Sequence, residues 1–190
     1  VWTLYGPGSV QMPVVSGEAT VFDDDCLVLW IDGTYGLLGS TVATFIVARF
    51  EGALAAKPAL AFFVPGLVYL ADAIGTQSEA VAVRGLSLSR VSLGHLLGNE
   101  LRTGLLIGLV LATLAFPMIW IAFGELQLAA AVALALGGAS VVASLLGLLL
   151  PWLLGRLGTD PAYGSGPLAT IVQDVLSLLI YFAAVSVIVL

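Results

Sequence analysis

The sequence predicts an all-α, polytopic membrane protein, one compact bundle of five transmembrane helices per protomer. Three observations carry that expectation. Hydrophobic residues make up 60% of the 190-residue chain, and the mean hydropathy is +1.11. Charged residues make up only 9%, against about 25% in a soluble domain. Five segments, roughly 27–48, 58–78, 104–123, 127–154 and 168–190, reach the ~20 mainly apolar residues that a spanning helix needs.

The elements follow in chain order. Residues 1–26 form a short acidic N-terminal segment, with Glu18, Asp23, Asp24 and Asp25 ahead of the first apolar run. Residues 1–25 read as an irregular head. No basic stretch precedes an apolar one there, so it does not read as a signal peptide. The net charge of −6 is concentrated in this head. Nucleic acid is excluded as a partner, because phosphate contacts need clustered Lys and Arg. Cys26 is the single cysteine, which rules out an intrachain disulfide or a multi-cysteine metal site.

Residues 27–190 form the membrane domain. Its first segment holds Asp32, expected near the inner interface. Lys57-Pro58 opens the second segment. Residues 79–103 carry Glu79, Arg84, Arg90, His95, Glu100 and Arg102. They read as a helix end followed by an interfacial amphipathic stretch. Like Lys57-Pro58, the pairs Phe116-Pro117, Asp160-Pro161 and Gly166-Pro167, with Pro151, are expected to punctuate the gaps between segments. Gly104 and Gly108 are one helical turn apart and permit close helix packing, within the protomer or across a dimer. No internal repeat is visible.

Orientation follows from Lys and Arg in short loops. With five spans, Arg84, Arg90, Arg102 and Arg156 share one side with the N-terminus, and Arg49 and Lys57 lie on the other. That bias predicts a cytoplasmic N-terminus and an outside C-terminus, in a cell membrane.

Polar residues inside the spans point to function. Thr170, Asp174, Ser177 and Tyr181 share one helix face, and Asp72, Thr76 and Glu79 share another, with Gly75 beside them. At ~1.5 Å per residue, Asp72 lies ~21 Å from Pro58 and Asp174 ~24 Å from Leu190, so the two are level. Glu79 and Asp160 fall near the inner mouth. A carboxylate at such depth costs about 2.5–3.5 kcal/mol even on lenient insertion scales. No Lys or Arg lies at that depth. The acid must be protonated, sit in a water-filled cavity, or meet a cation. Hard oxygen donors suit Mg²⁺, Ca²⁺ or Mn²⁺. An isolated aspartate can equally be a hydrogen-bonding group that joins helices; two level aspartates on polar faces favour an ion pathway. Thr76 and Gln77 either turn oxygens towards the ion's water shell or serve as capping and packing groups. Glu100 either bonds a neighbouring helix or begins a solvated helix. His95 reads as interfacial rather than as a ligand.

Three blocks also resemble a known family. "FFVPGLVYLADAIGTQSEAVAVRGL" is similar to the second membrane helix of the MgtE magnesium transporter/channel family. "GNELRTGLLIG" resembles its third helix. "GTDPAYGSGPLATIVQDVLSLLIYF" resembles its Asp-Pro-Ala, Ser-x-Pro and helix-five Asp signature. Together they cover about residues 45–190 in the family's order. The resemblance implies a five-helix domain that forms a homodimer, with helices two and five lining a central Mg²⁺ pore. It implies Asp174 as the principal pore carboxylate and Asp160 at the cytoplasmic entrance. The expected cation-binding set is then Asp174, Asp72, Asp160, Thr170, Thr76, Gln77 and Glu79, with Mg²⁺ as the transported ion and no catalytic residue.

The sequence departs from the family in places. Asp72-Ala73 stands where the family has Gly-Asn, which exchanges an amide for a carboxylate. Residues 1–25 are too short to hold the cytosolic sensor domains of many members. The first helix has no clear match. Two other function classes compete. Two membrane aspartates with Pro58-Ala59-Leu60 suggest an intramembrane aspartyl protease, in which coupled carboxylates activate water. That enzyme's Pro-Ala-Leu follows both acids, whereas Pro58 precedes both. A non-transporting membrane subunit is the third class. Ion uptake by vesicles, or peptide cleavage without uptake, separates the classes.

Overall fold

The computed structural model describes the backbone of residues 20–88, 93–158 and 165–190, and the side chains of 33–86, 93–158 and 168–190. Six helices occupy these residues: α1 (Thr20–Arg49), α2 (Glu51–Ala56), α3 (Ala59–Leu88), α4 (Leu93–Phe123), α5 (Leu126–Arg156) and α6 (Ser165–Ile188). Among the described residues, four stretches are long and apolar enough to cross a membrane: Ala59–Leu86, Leu93–Phe123, Leu126–Arg156 and Leu168–Ile188.

Helix α5 organises the bundle. It packs against α3, α4 and α6, while α1 packs against α6. Its buried face is built from small residues, including Ala131, Ala135, Ala139, Ser140, Ala143, Ser144 and Gly147. Small side chains let backbones come close, which is how helices associate where lipid offers no hydrophobic contrast. A Cβ on Gly104 would lie 2.8 Å from Val141 Cα, and one on Gly108 would lie 2.8 Å from the Gly137 carbonyl oxygen. The Gly104/Gly108 pair therefore serves packing within the protomer, against α5. On the other side, a Cβ on Gly147 would lie 2.6 Å from the Gly75 carbonyl oxygen and 2.8 Å from the Glu79 nitrogen.

The apolar core fills the end of the bundle that holds the α2–α3 and α4–α5 connections. Leu60, Leu67, Leu128, Val132, Tyr181, Phe182 and Val185 are buried there. Phe50 stacks on Phe182 with ring centroids 4.2 Å apart. The Tyr181 hydroxyl donates to the Leu60 carbonyl oxygen at 2.7 Å. Lys57 pairs with Glu125 and ties the two connections together.

Several expectations from the sequence need correction. The helix end expected from Glu79 onward is present, and the stretch expected to follow it is, from Leu93, the start of a long helix. Glu79 to Leu88 continue α3, and Leu93 to Thr103 begin α4. No proline occurs between Pro65 and Pro117, and the intervening Leu, Ala, Glu and Arg residues are good helix formers. Pro117 and Pro151 lie inside α4 and α5 rather than between segments. Membrane helices tolerate proline because neighbouring groups re-satisfy the freed backbone. The breaks come later, at Gly124 and Gly158, whose φ values of 70° and 79° suit glycine. The head is not irregular throughout, since α1 begins at Thr20.

The glycine contacts make a stability prediction. Gly147→Ala should force α3 and α5 apart and destabilise the protein by about 1–3 kcal/mol, the usual range for overpacking. Gly66, also in α3, has nothing within 4 Å of a built Cβ. Gly66→Ala should therefore hold or raise stability, by up to about 1 kcal/mol of helix propensity. Thermal unfolding in detergent should show a lowered midpoint for Gly147→Ala and an unchanged or raised one for Gly66→Ala.

Candidate cation site

Helices α1, α3 and α6 enclose a cavity of about 750 Å³. Val64, Pro65, Val68, Tyr69 and Asp72 come from α3, and Thr170, Asp174 and Leu178 from α6. α1 supplies Ser40, Ala43, Thr44, Val47 and Ala48. Tyr69 is 73% exposed, and Pro65, Thr44 and Ala48 are exposed as well, so the cavity opens on that flank. Position along α3 sorts its chemistry. Val64 and Val68 lie towards the Pro58 end, and Asp72 lies about 12 Å further in than Val64.

The sequence expectation that Asp72 and Asp174 belong together agrees with this geometry, because both half-buried carboxylates line the one cavity. Thr170 joins them by donating its hydroxyl to Asp72 Oδ1 at 3.1 Å. That bond crosses from α6 to α3. The rest of the expected polar face of α6 goes elsewhere. Ser177 is buried and donates to the Asp174 carbonyl oxygen at 2.9 Å. Tyr181 is wholly buried against the start of α3.

The other expected ligands are not brought into the cavity. Thr76 donates back to the Asp72 and Ala73 carbonyl oxygens at 2.9 and 3.2 Å, within its own helix. Gln77 is about 140° around the helix from Asp72. It lines a separate groove of about 450 Å³ between α3 and α4, with Ser78, Glu100 and Thr103. Glu79 is buried two turns inward of Asp72, beside the close approach of Gly147. Asp160 lies outside the described residues, as does the side chain of Asp32. His95 is exposed on α4. Among the described residues, no three His, Cys, Asp or Glu side chains cluster as a metal site.

Glu100 has a structural partner. Ser144 of α5 donates to Glu100 Oε2 at 2.6 Å, and Ser78 of α3 donates to Ser144 Oγ at 3.3 Å. This chain of hydroxyls links α3, α5 and α4 away from the cavity. Sequence reasoning missed the contribution of α1. Its signal was present as small and polar residues at helical spacing: Gly36, Ser40, Ala43, Thr44 and Val47.

Comparison with known proteins gives the family. Residues 64–184 match the family model "MgtE: Divalent cation transporter". The matched span takes in Asp72, Glu100, Asp160 and Asp174. The magnesium transporter MgtE of Bacillus subtilis is 39% identical over 140 residues, covering 72% of this chain and 31% of that protein. The magnesium transporter MgtE of Enterococcus faecalis is 35% identical over 152 residues, 78% of this chain and 33% of that protein. The corresponding protein of Thermus thermophilus is 36% identical over 150 residues, 77% of this chain and 33% of that protein. The chain thus spans about a third of the length of the curated relatives it matches. These relatives are transporters rather than enzymes, and the protease reading of the two membrane aspartates falls away. A transporter family and four membrane-length apolar helices together identify an integral membrane protein, and the chain belongs to the MgtE family of divalent cation transporters.

Proposed function

We propose that this chain carries Mg²⁺ across the membrane, along a path lined by α3 and α6 at the centre of a homodimer. In this reading α1 completes a set of five spans. The N-terminus is cytoplasmic and the C-terminus outside, in the cell membrane, as the loop charges suggest. The observation that carries the reading is the cavity holding Asp72, Thr170 and Asp174, all three within the matched family span. The relatives named as magnesium transporters supply the choice of ion.

The chemistry suits a hydrated divalent ion. Mg²⁺ gives up water reluctantly and binds through one or two carboxylates with most of its waters kept. Six waters at roughly 30 Å³ each need about 180 Å³, well within a cavity of about 750 Å³. The ion therefore need not be stripped to fit. One protomer offers two level carboxylates, and a two-fold assembly doubles them around one axis. Asp160, just before α6, would draw cations to the inner mouth electrostatically. Thr76, Gln77 and Glu79 lie inward of Asp72, and their place on the path requires that the ion pass beyond the cavity described here.

Two outcomes test this reading. Asp174→Asn keeps the side-chain shape and removes its charge. In proteoliposomes loaded with a Mg²⁺ indicator, it should abolish uptake that the wild-type chain supports, while the protein stays folded. Unchanged uptake sinks the assignment. The paired change Asp72→Gly with Ala73→Asn restores the family's Gly-Asn. It should weaken ion binding several-fold and raise the preference for Mg²⁺ over Ca²⁺ and Mn²⁺, because fewer charges leave more of the choice to coordination geometry. Uptake in competition with Ca²⁺ or Mn²⁺ reads both effects. Wild-type values for both would place Asp72 outside the ion's path.

A further inference from the structure

Among the described residues, Gln173 is the one whose buried side-chain polar atoms have no hydrogen-bond partner. It is 2% exposed, and both the amide oxygen and the amide nitrogen are unpaired. Buried amides are nearly always paired, and an unpaired one weighs against the arrangement that buries it. It sits next to Asp174 in sequence, yet about 100° around the helix, and it is buried against α3 rather than lining the cavity.

Its surroundings give that amide leverage. It packs against Gly75 of α3, in the space a Cβ there would need. On the side of Gly75 towards α5, a Cβ on Gly147 would lie 2.6 Å from the Gly75 carbonyl oxygen. α3 is therefore held between α5 and α6 at this residue. On the cavity side, the polar tie between α3 and α6 is the Thr170 hydroxyl on Asp72 Oδ1. Any movement of α6 that lets water reach Gln173 must also change how Thr170 and Asp174 stand relative to Asp72.

A cation that engages Asp72 draws charge from the carboxylate and makes Oδ1 a poorer acceptor for the Thr170 hydroxyl. Weakening that bond loosens the tie between α3 and α6 at the level of Asp72. Hydrating the amide removes the penalty of keeping it dry. Both effects favour separation of the two helices.

We propose that Gln173 is a positioning residue of the cation path. With its amide dry against Gly75, α6 is held in a narrow arrangement. Capture of Asp72 by a divalent cation shifts the population to a wider one, in which the amide meets water. This inference rests on the transport reading above, and its test separates the two.

Gln173→Met in the full chain keeps the approximate shape and removes both polar atoms. The narrow arrangement should gain about five- to thirtyfold in population, the effect of one or two kcal/mol. The melting midpoint in detergent should rise, and Mg²⁺ uptake by proteoliposomes should fall several-fold. A residue that only packs would leave uptake unchanged, and one that only touches the ion would lower uptake without raising the midpoint. Either result overturns the proposal. A second measurement reads hydration directly. With Cys26→Ser as background, Gln173→Cys introduces a single thiol. A water-soluble thiol reagent should label it faster with Mg²⁺ than without, and adding Asp72→Asn should remove that dependence. A thiol that is unreactive, or equally reactive, at every Mg²⁺ concentration overturns the proposal. Wild-type vesicles that take up no Mg²⁺ would instead sink the transport reading.

Discussion

Helix α5 can be covered on three sides because it carries so little side chain. In a bilayer, apolar contact alone does not favour helix against helix over helix against lipid, so close packing and hydrogen bonds must do it. Gly137 and Val141 receive Gly108 and Gly104 of α4, and Gly147 meets the backbone of α3 at Gly75. Gly138 approaches Ile180 of α6, where a built Cβ would lie 3.1 Å away. α3 and α6 are thus both placed by α5. The contact between them, which brings Asp72 and Thr170 within hydrogen-bond distance, depends on that placement.

The bundle treats its polar groups in two ways. Ser78, Ser144 and Glu100 form a hydroxyl-to-carboxylate chain inside the protein. Such a network joins three helices and helps fix how they pack. Asp72 and Asp174 are different. Asp72 accepts one hydroxyl, from Thr170, and both carboxylates face an open cavity. Glu100 also accepts one hydroxyl and lines a groove, so what sets Asp72 and Asp174 apart is that two carboxylates share one cavity. Carboxylates left facing space are compensated by whatever enters it.

The sequence made some of this legible and hid the rest for physical reasons. The level of Asp72 and Asp174 could be counted, because helical rise is fixed. The packing role of Gly104 and Gly108 could be read, because their spacing is one turn. That Pro117 and Pro151 lie inside helices could not, since proline breaks helices in water more surely than in a packed membrane bundle. The contribution of Ser40 and Thr44 was masked because both hydroxyls bond carbonyls of their own helix, Leu37 and Ser40, as any membrane Ser or Thr can. Only the neighbours of α1 reveal that these residues line a cavity. Gln77 and Gln173 show the same limit from opposite sides. Both were polar residues near a polar face, and rotations of about 140° and 100° sent one to α4 and the other into the contact with α3.

The Asp72–Thr170 bond also bears on how an ion could be held without being trapped. In the proposed homodimer, two copies each of Asp72 and Asp174 would surround one axis, and a single divalent ion offsets half their formal charge. Conduction needs binding strong enough to admit the ion and weak enough to release it. Direct contact with four carboxylates would overshoot. Two features of the site reduce the pull. The cavity has room for the ion with its waters, so the carboxylates can act through a hydration shell that Mg²⁺ gives up reluctantly. Thr170 occupies one acceptor oxygen of Asp72, which lowers the charge density facing the ion. A carboxylate where the family has Gly-Asn is then tolerable because a hydroxyl from the neighbouring helix moderates it, and the strength of that moderation falls as α6 moves away from α3.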